Sequence, residues 1–160
     1  ILDDDFKEVK VGESGEIAIK GPQVMKCYWQ RPEETSKSMH GEYFLTGDVG
    51  TMDEKGFFKI VDRKKEMILV SGFNVYPNDV EKAISENSKV LEVGVRGEKK
   101  DDGSEFVRAF IVKKDPSLTE EEVIEFCRTK LTNYKVPKSV SFRNELPKSN
   151  VGKILRRLLE

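Results

Sequence analysis

The chain has 160 residues, which suits one domain, or one domain joined to a piece of another. Its 28 Lys and Arg nearly cancel its 29 Asp and Glu, so no overall basic field points to nucleic-acid binding. The apolar fraction of 37% is enough for a core, and no segment is long and apolar enough to span a bilayer. Two cysteines a hundred residues apart give no positive support for a disulfide. The single histidine, His40, argues against most histidine-based zinc sites, and only His40 could supply a histidine-based catalytic triad.

The first ten residues, ILDDDFKEVK, are acidic and begin without methionine. They carry no signal-peptide pattern, and we interpret them as the interior of a longer protein. The sparse cysteines favour a reduced, cytoplasmic setting.

The first part of the chain has the pattern of a small β-rich unit with one helix. Alternating side chains predict the strands, and proline with acidic residues in a first turn predicts the helix. In chain order, the predicted elements are a strand at 16–20, a helix at 31–35, a strand at 43–52 broken at 46–50, a turn at 53–56 and a strand at 57–61.

Five consecutive charged residues, 62–66, then predict a linker, after which the pattern becomes α+β. The strand at 106–112 is apolar on both faces, which predicts a central, doubly covered strand. Thr119 and Glu122 form a capping box that opens a helix with Cys127 on its buried stripe. The remaining predicted elements are a strand at 67–70, a loop at 71–74, a helix from Pro77 with Val80, Ala83 and Ile84 on one face, strands at 90–95 and 140–142, and an amphipathic helical pattern at 154–159.

Three polar, glycine-containing segments stand where a chain could approach a ligand. An aspartate after a glycine turn can accept hydrogen bonds from a ribose diol, and a lysine after glycine can place a point charge between two anions. Taken singly, each segment has a plainer interpretation as a turn aspartate, a solvated linker or a surface lysine. The segments are Thr46-Gly47-Asp48, then Arg63-Lys64-Lys65 with Ser71-Gly72-Phe73-Asn74, and Leu146 to Lys153.

Together, in this order and spacing, the segments resemble the late motifs of the adenylate-forming superfamily of acyl-CoA ligases, luciferases and adenylation domains. Tyr134-Lys135-Val136-Pro137 also resembles the family's approach to its terminal lysine motif. The resemblance runs from about Gly12 to the last residue. The segments VDRKKEMILVSGFNVYPNDVE and ELPKSNVGKILRR are most similar to those of bacterial long-chain fatty acyl-CoA ligases. The turn at 97–104 departs from the family pattern, because it is longer and rich in lysine and aspartate.

The resemblance implies an α+β fold: residues 1–62 would end a large N-terminal domain, and residues 63–160 would form a small mobile C-terminal domain. It implies that Lys153 is the catalytic lysine and Lys65 the hinge. It also implies a nucleotide site and a glycine loop for the pantetheine of CoA. The implied nucleotide site contains Thr46, Gly47, Asp48 and Arg63, and the implied glycine loop contains Ser71, Gly72, Phe73 and Asn74.

The implied reaction joins a fatty acid to CoA at the expense of ATP and Mg²⁺, with most of the metal and substrate sites in a missing N-terminal domain. We therefore expect the isolated chain to be inactive and to bind ATP weakly or not at all. The implied location is the cytoplasm or, peripherally, the inner membrane. Modification of Lys153 by acylation is a further hypothesis, because it would remove the charge on which the proposed role depends.

Three alternatives stay open from the sequence. The first is an aryl- or medium-chain CoA ligase or another adenylate-forming enzyme. The second is a non-catalytic α+β binding module, although such a module has no need of Lys153, Asp48 and Arg63 together. The third is a nucleic-acid binder, suggested by the GxxG spacing of Gly94 and Gly97, but no basic helix follows that segment.

Overall fold

The computed structural model describes residues 1–160, and the chain divides into two compact units, 1–65 and 66–160. The fold class is α+β, as the sequence predicts, with three α-helices and three separate sheets. None of these helices has both the length and the apolar composition needed to cross a lipid bilayer.

The first unit is built around one long strand that pairs with three others, all antiparallel. The helix begins at Pro32, whose fixed φ and missing N–H suit a first helical position, and two glutamates follow it in the first turn. In chain order the elements are β1 (Gly15–Ile19), α1 (Pro32–Ser38), β2 (Met39–His40), β3 (Tyr43–Met52) and β4 (Phe58–Arg63), with β3 the strand that all others join.

Two predictions for this unit are wrong in detail. Residues 46–50 interrupt the pairing of β3 without ending the strand: its pairing to β1 skips from Leu45 to Val49, and its pairing to β4 shifts between Val49 and Gly50. The charged run at 62–66 is only partly a linker, because Asp62 lies in β4 and is buried, and its carboxylate accepts a hydrogen bond from the Arg63 backbone at 2.8 Å. Only residues 64–66 leave the strand, as one 3₁₀ turn.

The second unit contains a small hairpin, two helices and a three-stranded sheet. In that sheet β7 and β8 are antiparallel, whereas β8 and β9 are parallel, and α3 lies in the connection that the parallel pairing requires. The elements are β5 (Ile68–Val70), β6 (Phe73–Val75), α2 (Pro77–Ser85), β7 (Val90–Lys99), β8 (Glu105–Lys113), α3 (Glu120–Lys130) and β9 (Ser139–Arg143).

The central position of β8 and its burial on both faces are confirmed. One face contributes Val107, Ala109 and Ile111 to a core shared with α2 and α3, and the other contributes Phe110 and Val112 to a second core. The Thr119 capping box is present in full, so two backbone N–H groups at the start of α3 have partners. Cys127 is fully buried in the first core, and burial raises the pKa of its thiol to about 11.

Two predictions for the second unit need correction. The loop predicted at 71–74 is a tight turn at Ser71 and Gly72, since Phe73 and Asn74 already belong to β6. The helical pattern at 154–159 forms only a 3₁₀ turn, in which the Leu158 and Leu159 amides bond to carbonyls three residues back. This short turn is enough to bury Leu159.

Leu159 and Ile154 pack against Gly94 in β7, where an added Cβ would lie 2.9 Å from Leu159 and 3.1 Å from Ile154. The absence of a side chain at position 94 therefore allows the C-terminal segment to lie directly on the sheet.

Candidate functional site

The predicted nucleotide-binding segment lies in the middle of β3 and is held by the Thr46 hydroxyl and by hydrogen bonds to β1. The Thr46 hydroxyl donates to the Ile17 carbonyl at 2.8 Å and accepts from the Asp48 amide at 3.1 Å. Gly47 has a φ of +71°, a left-handed conformation that favours glycine, and its amide donates to the Glu16 carboxylate at 2.9 Å. These bonds fix the backbone on both sides of Asp48.

Asp48 lies opposite Arg63 on the neighbouring strand β4. Arg63 Nε is 3.1 Å from Asp48 Oδ1, and Arg63 Nη1 donates to the Thr46 carbonyl at 3.3 Å. About half of the Arg63 side chain is exposed, so a ligand could still reach the pair. The structure thus brings three of the four predicted nucleotide-binding residues into direct contact, and Gly47 lies between two of them.

Sequence reasoning missed a second ionic group beside this segment. The buried carboxylate of Glu16 lies 3.1 Å from Lys64 Nζ, which also lies 2.9 Å from Asp4. Burial alone would lower the pKa of Lys64, but its hydrogen bonds to Asp4 and Glu16 raise it above the ordinary value. The only signal in the sequence was a glutamate inside a short strand, where carboxylates are uncommon.

The predicted glycine loop is the turn of the β5–β6 hairpin, with φ of +51° at Ser71 and +83° at Gly72. A Cβ at Gly72 would meet nothing within 4 Å, so the space beside it is open. The turn borders a shallow groove of about 330 Å³ whose other wall is the turn around Gly103 and Ser104. Phe73 is half exposed and stacks on Tyr134, with ring centroids 4.6 Å apart.

Lys153 lies at the end of a tight turn that the sequence motif predicts as an irregular loop. The Ser149 amide donates to the Lys153 carbonyl at 2.8 Å, the Gly152 amide donates to the Ser149 carbonyl at 2.9 Å, and Gly152 has a φ of +80°. Val151 at the tip is 89% exposed. The exposed Lys153 side chain has no hydrogen-bond or ion-pair partner in the chain, so its charge is free to meet an anion.

We call residues 149–153 the lysine loop. Its base is held on both sides, because Leu146 before it and Ile154 after it pack into the second core. Lys148 adds an ion pair to Glu92 on β7. An exposed tip therefore stands on an ordered base.

The remaining predicted positions divide between the two units. Lys65, the predicted hinge, is the last residue of the first unit, and its exposed side chain has no partner. The nucleotide segment lies in the first unit, and the glycine loop and the lysine loop lie in the second. No group of three His, Cys, Asp or Glu side chains is arranged to hold a metal ion.

Comparison with known proteins finds proteins similar to this chain along nearly its whole length. Residues 79–153 match the model of the AMP-binding enzyme C-terminal domain. The chain is 57% identical over 159 residues to a long-chain-fatty-acid–CoA ligase of Escherichia coli O6:H1, covering 99% of this chain and 28% of that protein. It is 41% identical over 157 residues to a 2-succinylbenzoate–CoA ligase of Geobacillus kaustophilus, covering 98% of this chain and 32% of that protein.

Among solved structures, the fold matches ATP-bound MatB from Rhodopseudomonas palustris with a TM-score of 0.90 and 34% identity, covering 98% of this chain and 32% of that one. The chain thus spans about a third or less of the length of the relatives it matches. The resemblance predicted from the motifs is confirmed: residues 79–153 match the AMP-binding enzyme C-terminal domain, and nearly the whole chain is similar to part of long-chain-fatty-acid–CoA ligases.

Proposed function

We propose that this chain is the C-terminal part of an ATP-dependent long-chain fatty acyl-CoA ligase. The full-length protein would convert a fatty acid, ATP and CoA into acyl-CoA, AMP and pyrophosphate through an acyl-adenylate. The observation that carries the proposal is the lysine loop: an exposed, unpaired Lys153 on an ordered base, at the position of the family's terminal lysine motif. The 57% identity to long-chain-fatty-acid–CoA ligases along nearly the whole chain supports the substrate class.

The first half-reaction brings a carboxylate to the α-phosphate of ATP, so two anions must approach each other. A cation that bridges both lowers the barrier, because it stabilises charge that builds up in the transition state. Lys153 suits this role since none of its charge is already neutralised by a partner. ATP would arrive with Mg²⁺, and the groups that hold this ion would lie mostly in the upstream part of the protein.

Asp48 and Arg63 would bind the nucleotide through both half-reactions. The Asp48 carboxylate can accept hydrogen bonds from the two ribose hydroxyls, and Arg63 can contact the ribose or the phosphates. Their existing ion pair, 3.1 Å long, would hold both side chains close to this arrangement before the ligand binds.

The second half-reaction needs the CoA thiol at the same carbonyl carbon, and therefore a different surface of the protein. We propose that residues 63–160 form the mobile domain, that residues 1–62 end the large domain, and that rotation occurs at Lys65. Along the chain, the boundary between the two compact units falls between Lys65 and Glu66, which suits a hinge there. The open space beside Gly72 would let a pantetheine chain pass close to the backbone.

The test is the full-length protein with Lys153→Ala. Adenylation, measured as carboxylate-dependent pyrophosphate release, should fall by about 10²–10³, while thioester formation from preformed acyl-adenylate should fall much less. Lys114→Ala is the matched control, since Lys114 is exposed and its side chain also lacks a partner. Equal loss of both half-reactions in the Lys153 variant would contradict the proposed role.

A hinge variant tests the second half-reaction. Lys65→Pro restricts φ at the boundary between the units and should impair thioester formation while sparing adenylation. Loss of both half-reactions to the same extent would argue against two working conformations.

Specificity for long chains can be tested on the same full-length protein with a series of carboxylates. A long-chain ligase should show its highest kcat/KM with long-chain fatty acids. The match to a 2-succinylbenzoate–CoA ligase makes an aromatic acid the informative competitor, and a preference for it would replace the long-chain assignment. The isolated chain should show no ligase activity, and titration calorimetry should show no micromolar binding of Mg-ATP.

A further inference from the structure

Arg156 lies in a charged cluster whose other members come from distant parts of the second unit. Its Nε and Nη2 donate to the two carboxylate oxygens of Glu81 at 2.7 and 2.6 Å, a bidentate interaction. Its Nη1 donates to Glu66 over 2.6 Å, and Nη2 also contacts the Asn78 side-chain oxygen. We call Arg156, Glu66, Asn78 and Glu81 the arginine cluster.

The charged side chains of the arginine cluster are partly or largely removed from water, whereas Asn78 is exposed. Only 11% of the Arg156 side chain is exposed, against 30% for Glu66 and 19% for Glu81. Without the guanidinium, two partly buried carboxylates would be left near each other with no cation between them, which is unfavourable. A lysine would keep the charge but could not present a planar fork to both carboxylates.

The cluster also joins separate elements of the unit. The Glu81 carboxylate accepts a hydrogen bond from the Val95 amide at 2.8 Å, which connects α2 to the fully buried part of β7. Glu66 is the first residue of the second unit and follows Lys65 directly. Arg156 is therefore bonded both to the body of the unit and to the segment that leaves the proposed hinge.

Arg156 follows Lys153 by three residues, and only the core residue Ile154 and Leu155 lie between Lys153 and the cluster. The tip of the lysine loop makes no anchoring contacts of its own, so the direction in which Lys153 projects is set at the base. On the far side of the base the Leu155 amide donates to the Pro147 carbonyl at 2.8 Å, which closes the loop immediately before Arg156.

We propose that Arg156 is a positioning residue for Lys153: by binding Glu66 and Glu81 it fixes the base of the lysine loop to α2 and to the hinge segment. The inference rests on the proposed function, because it assigns Arg156 the task of delivering Lys153 to the reacting groups when the unit moves. Lys153 and the hinge segment then move as parts of one rigid body.

The test compares Arg156→Lys with Arg157→Lys in the full-length protein. Arg157 is the matched control, because it is the next residue, is exposed and has no partner. Hydrogen exchange should become about tenfold faster at the loop amides of Ser149, Gly152 and Leu155 in the Arg156 variant, as expected when a hydrogen bond to a charged group is lost. The Arg157 variant should exchange like the wild type.

Kinetics then separate positioning from a merely structural role. In Arg156→Lys, kcat for adenylation should fall by about tenfold or more, because small misplacements of a catalytic group are costly, while KM for ATP should change less than about twofold. Glu66→Gln keeps an oxygen acceptor at the same place but removes its charge, so it should also lower kcat for adenylation. This variant replaces Arg156→Lys in the test if Arg156→Lys does not fold.

Unchanged loop exchange in folded Arg156→Lys would overturn the proposal, and so would a loosened loop with wild-type kcat. The proposal would also be overturned if the variant lost activity only because less of it folds, with kcat per folded molecule unchanged. Failure of the proposed function looks different, because the wild-type protein itself would then form no acyl-adenylate. The exchange comparison would still decide whether Arg156 anchors the loop.

Discussion

The two units of the chain differ in where their apolar side chains lie. In the second unit, two clusters cover both faces of β8. In the first unit, Val49 is the only buried apolar side chain, whereas Trp29, Phe57, Phe58 and Ile60 are largely exposed. Since burial of apolar surface is the main driving force of folding, the second unit has the core of an independent domain and the first does not.

The candidate functional groups follow the same division. Asp48 and Arg63 lie on neighbouring strands and are already paired, so they form a fixed surface. Lys153 and Gly72 lie on tight turns that project from a well-packed body and have open space or solvent beside them. This difference is what the proposed function requires, with one part holding the nucleotide and the other presenting different turns to it.

The largest expected effect is on folding of the separated units. Residues 66–160 expressed alone should unfold in one cooperative transition, because both cores lie within them. Residues 1–65 expressed alone should show no cooperative unfolding transition. Circular dichroism during heating and amide dispersion in NMR spectra measure both, and cooperative melting of the 1–65 piece would remove the contrast between the units.

A matched pair of isoleucines sharpens the contrast at single residues. Ile68 is 1% exposed and Ile60 is 63% exposed. Ile68→Ala should lower the free energy of unfolding by about 2–5 kcal/mol, since it removes packed side-chain atoms and leaves a cavity. Ile60→Ala should change it by less than about 0.5 kcal/mol. Urea denaturation of the two variants gives both values, and similar losses would show that the first unit also depends on a core.

The two cysteines provide a chemical comparison, because Cys27 is exposed and Cys127 is buried. Burial raises the pKa of Cys127 from 9.0 to about 11, which makes its thiolate roughly a hundredfold scarcer near pH 8. In the folded chain, one thiol should react with Ellman's reagent at that pH, and both should react in guanidinium. Rapid modification of a Cys27→Ser variant would show that Cys127 is accessible.

The raised pKa of Cys127 also has a consequence for stability. Between pH 9 and 11 the folded state keeps the thiol proton that the unfolded state loses, so the free energy of unfolding should fall as pH rises through this range. Cys127→Ala should remove this part of the pH dependence. A variant with the same slope as the wild type would contradict the assignment.

The smallest expected effect concerns one ion pair from each unit. Arg108 and Glu98 meet through two 2.8 Å hydrogen bonds in the second unit, and both side chains are about a quarter exposed. In the first unit Asp48 is exposed to the same extent, but its partner Arg63 is about half exposed. Double-mutant cycles should give a coupling below about 1 kcal/mol for Arg63–Asp48, and a larger one for the better-buried pair. The reverse order would show that the nucleotide segment is stabilised by its ion pair.

Local patterns predicted most of the second unit. The doubly apolar stretch of β8, the Thr119 capping box and the periodicity of α2 each express a preference that lies within a few neighbouring residues. The candidate site residues were equally visible as a series of motifs, because their order and spacing lie in the sequence itself. The resemblance that they indicate is confirmed, but their individual roles remain predictions.

The errors arose where distant residues decide the structure. Asp62 looked like part of a solvated run, but pairing with β3 places it in a buried strand. The 154–159 segment has helical spacing, but it forms only a single 3₁₀ turn. This turn is enough to pack its apolar side chains against Gly94 and into the second core. The partners of Arg156 stand 75 and 90 residues away, and no local pattern identifies them.

Packing of Leu159 beneath Gly94 has a consequence for the order of events during synthesis. Ile154, Arg156 and Leu159 follow Lys153 in the chain, so the lysine leaves the ribosome before the residues that fix its loop. Domains generally fold as units once their chain has been synthesised. Because Ile154 and Leu159 belong to the second core, the lysine loop can become ordered only after these later residues have been synthesised.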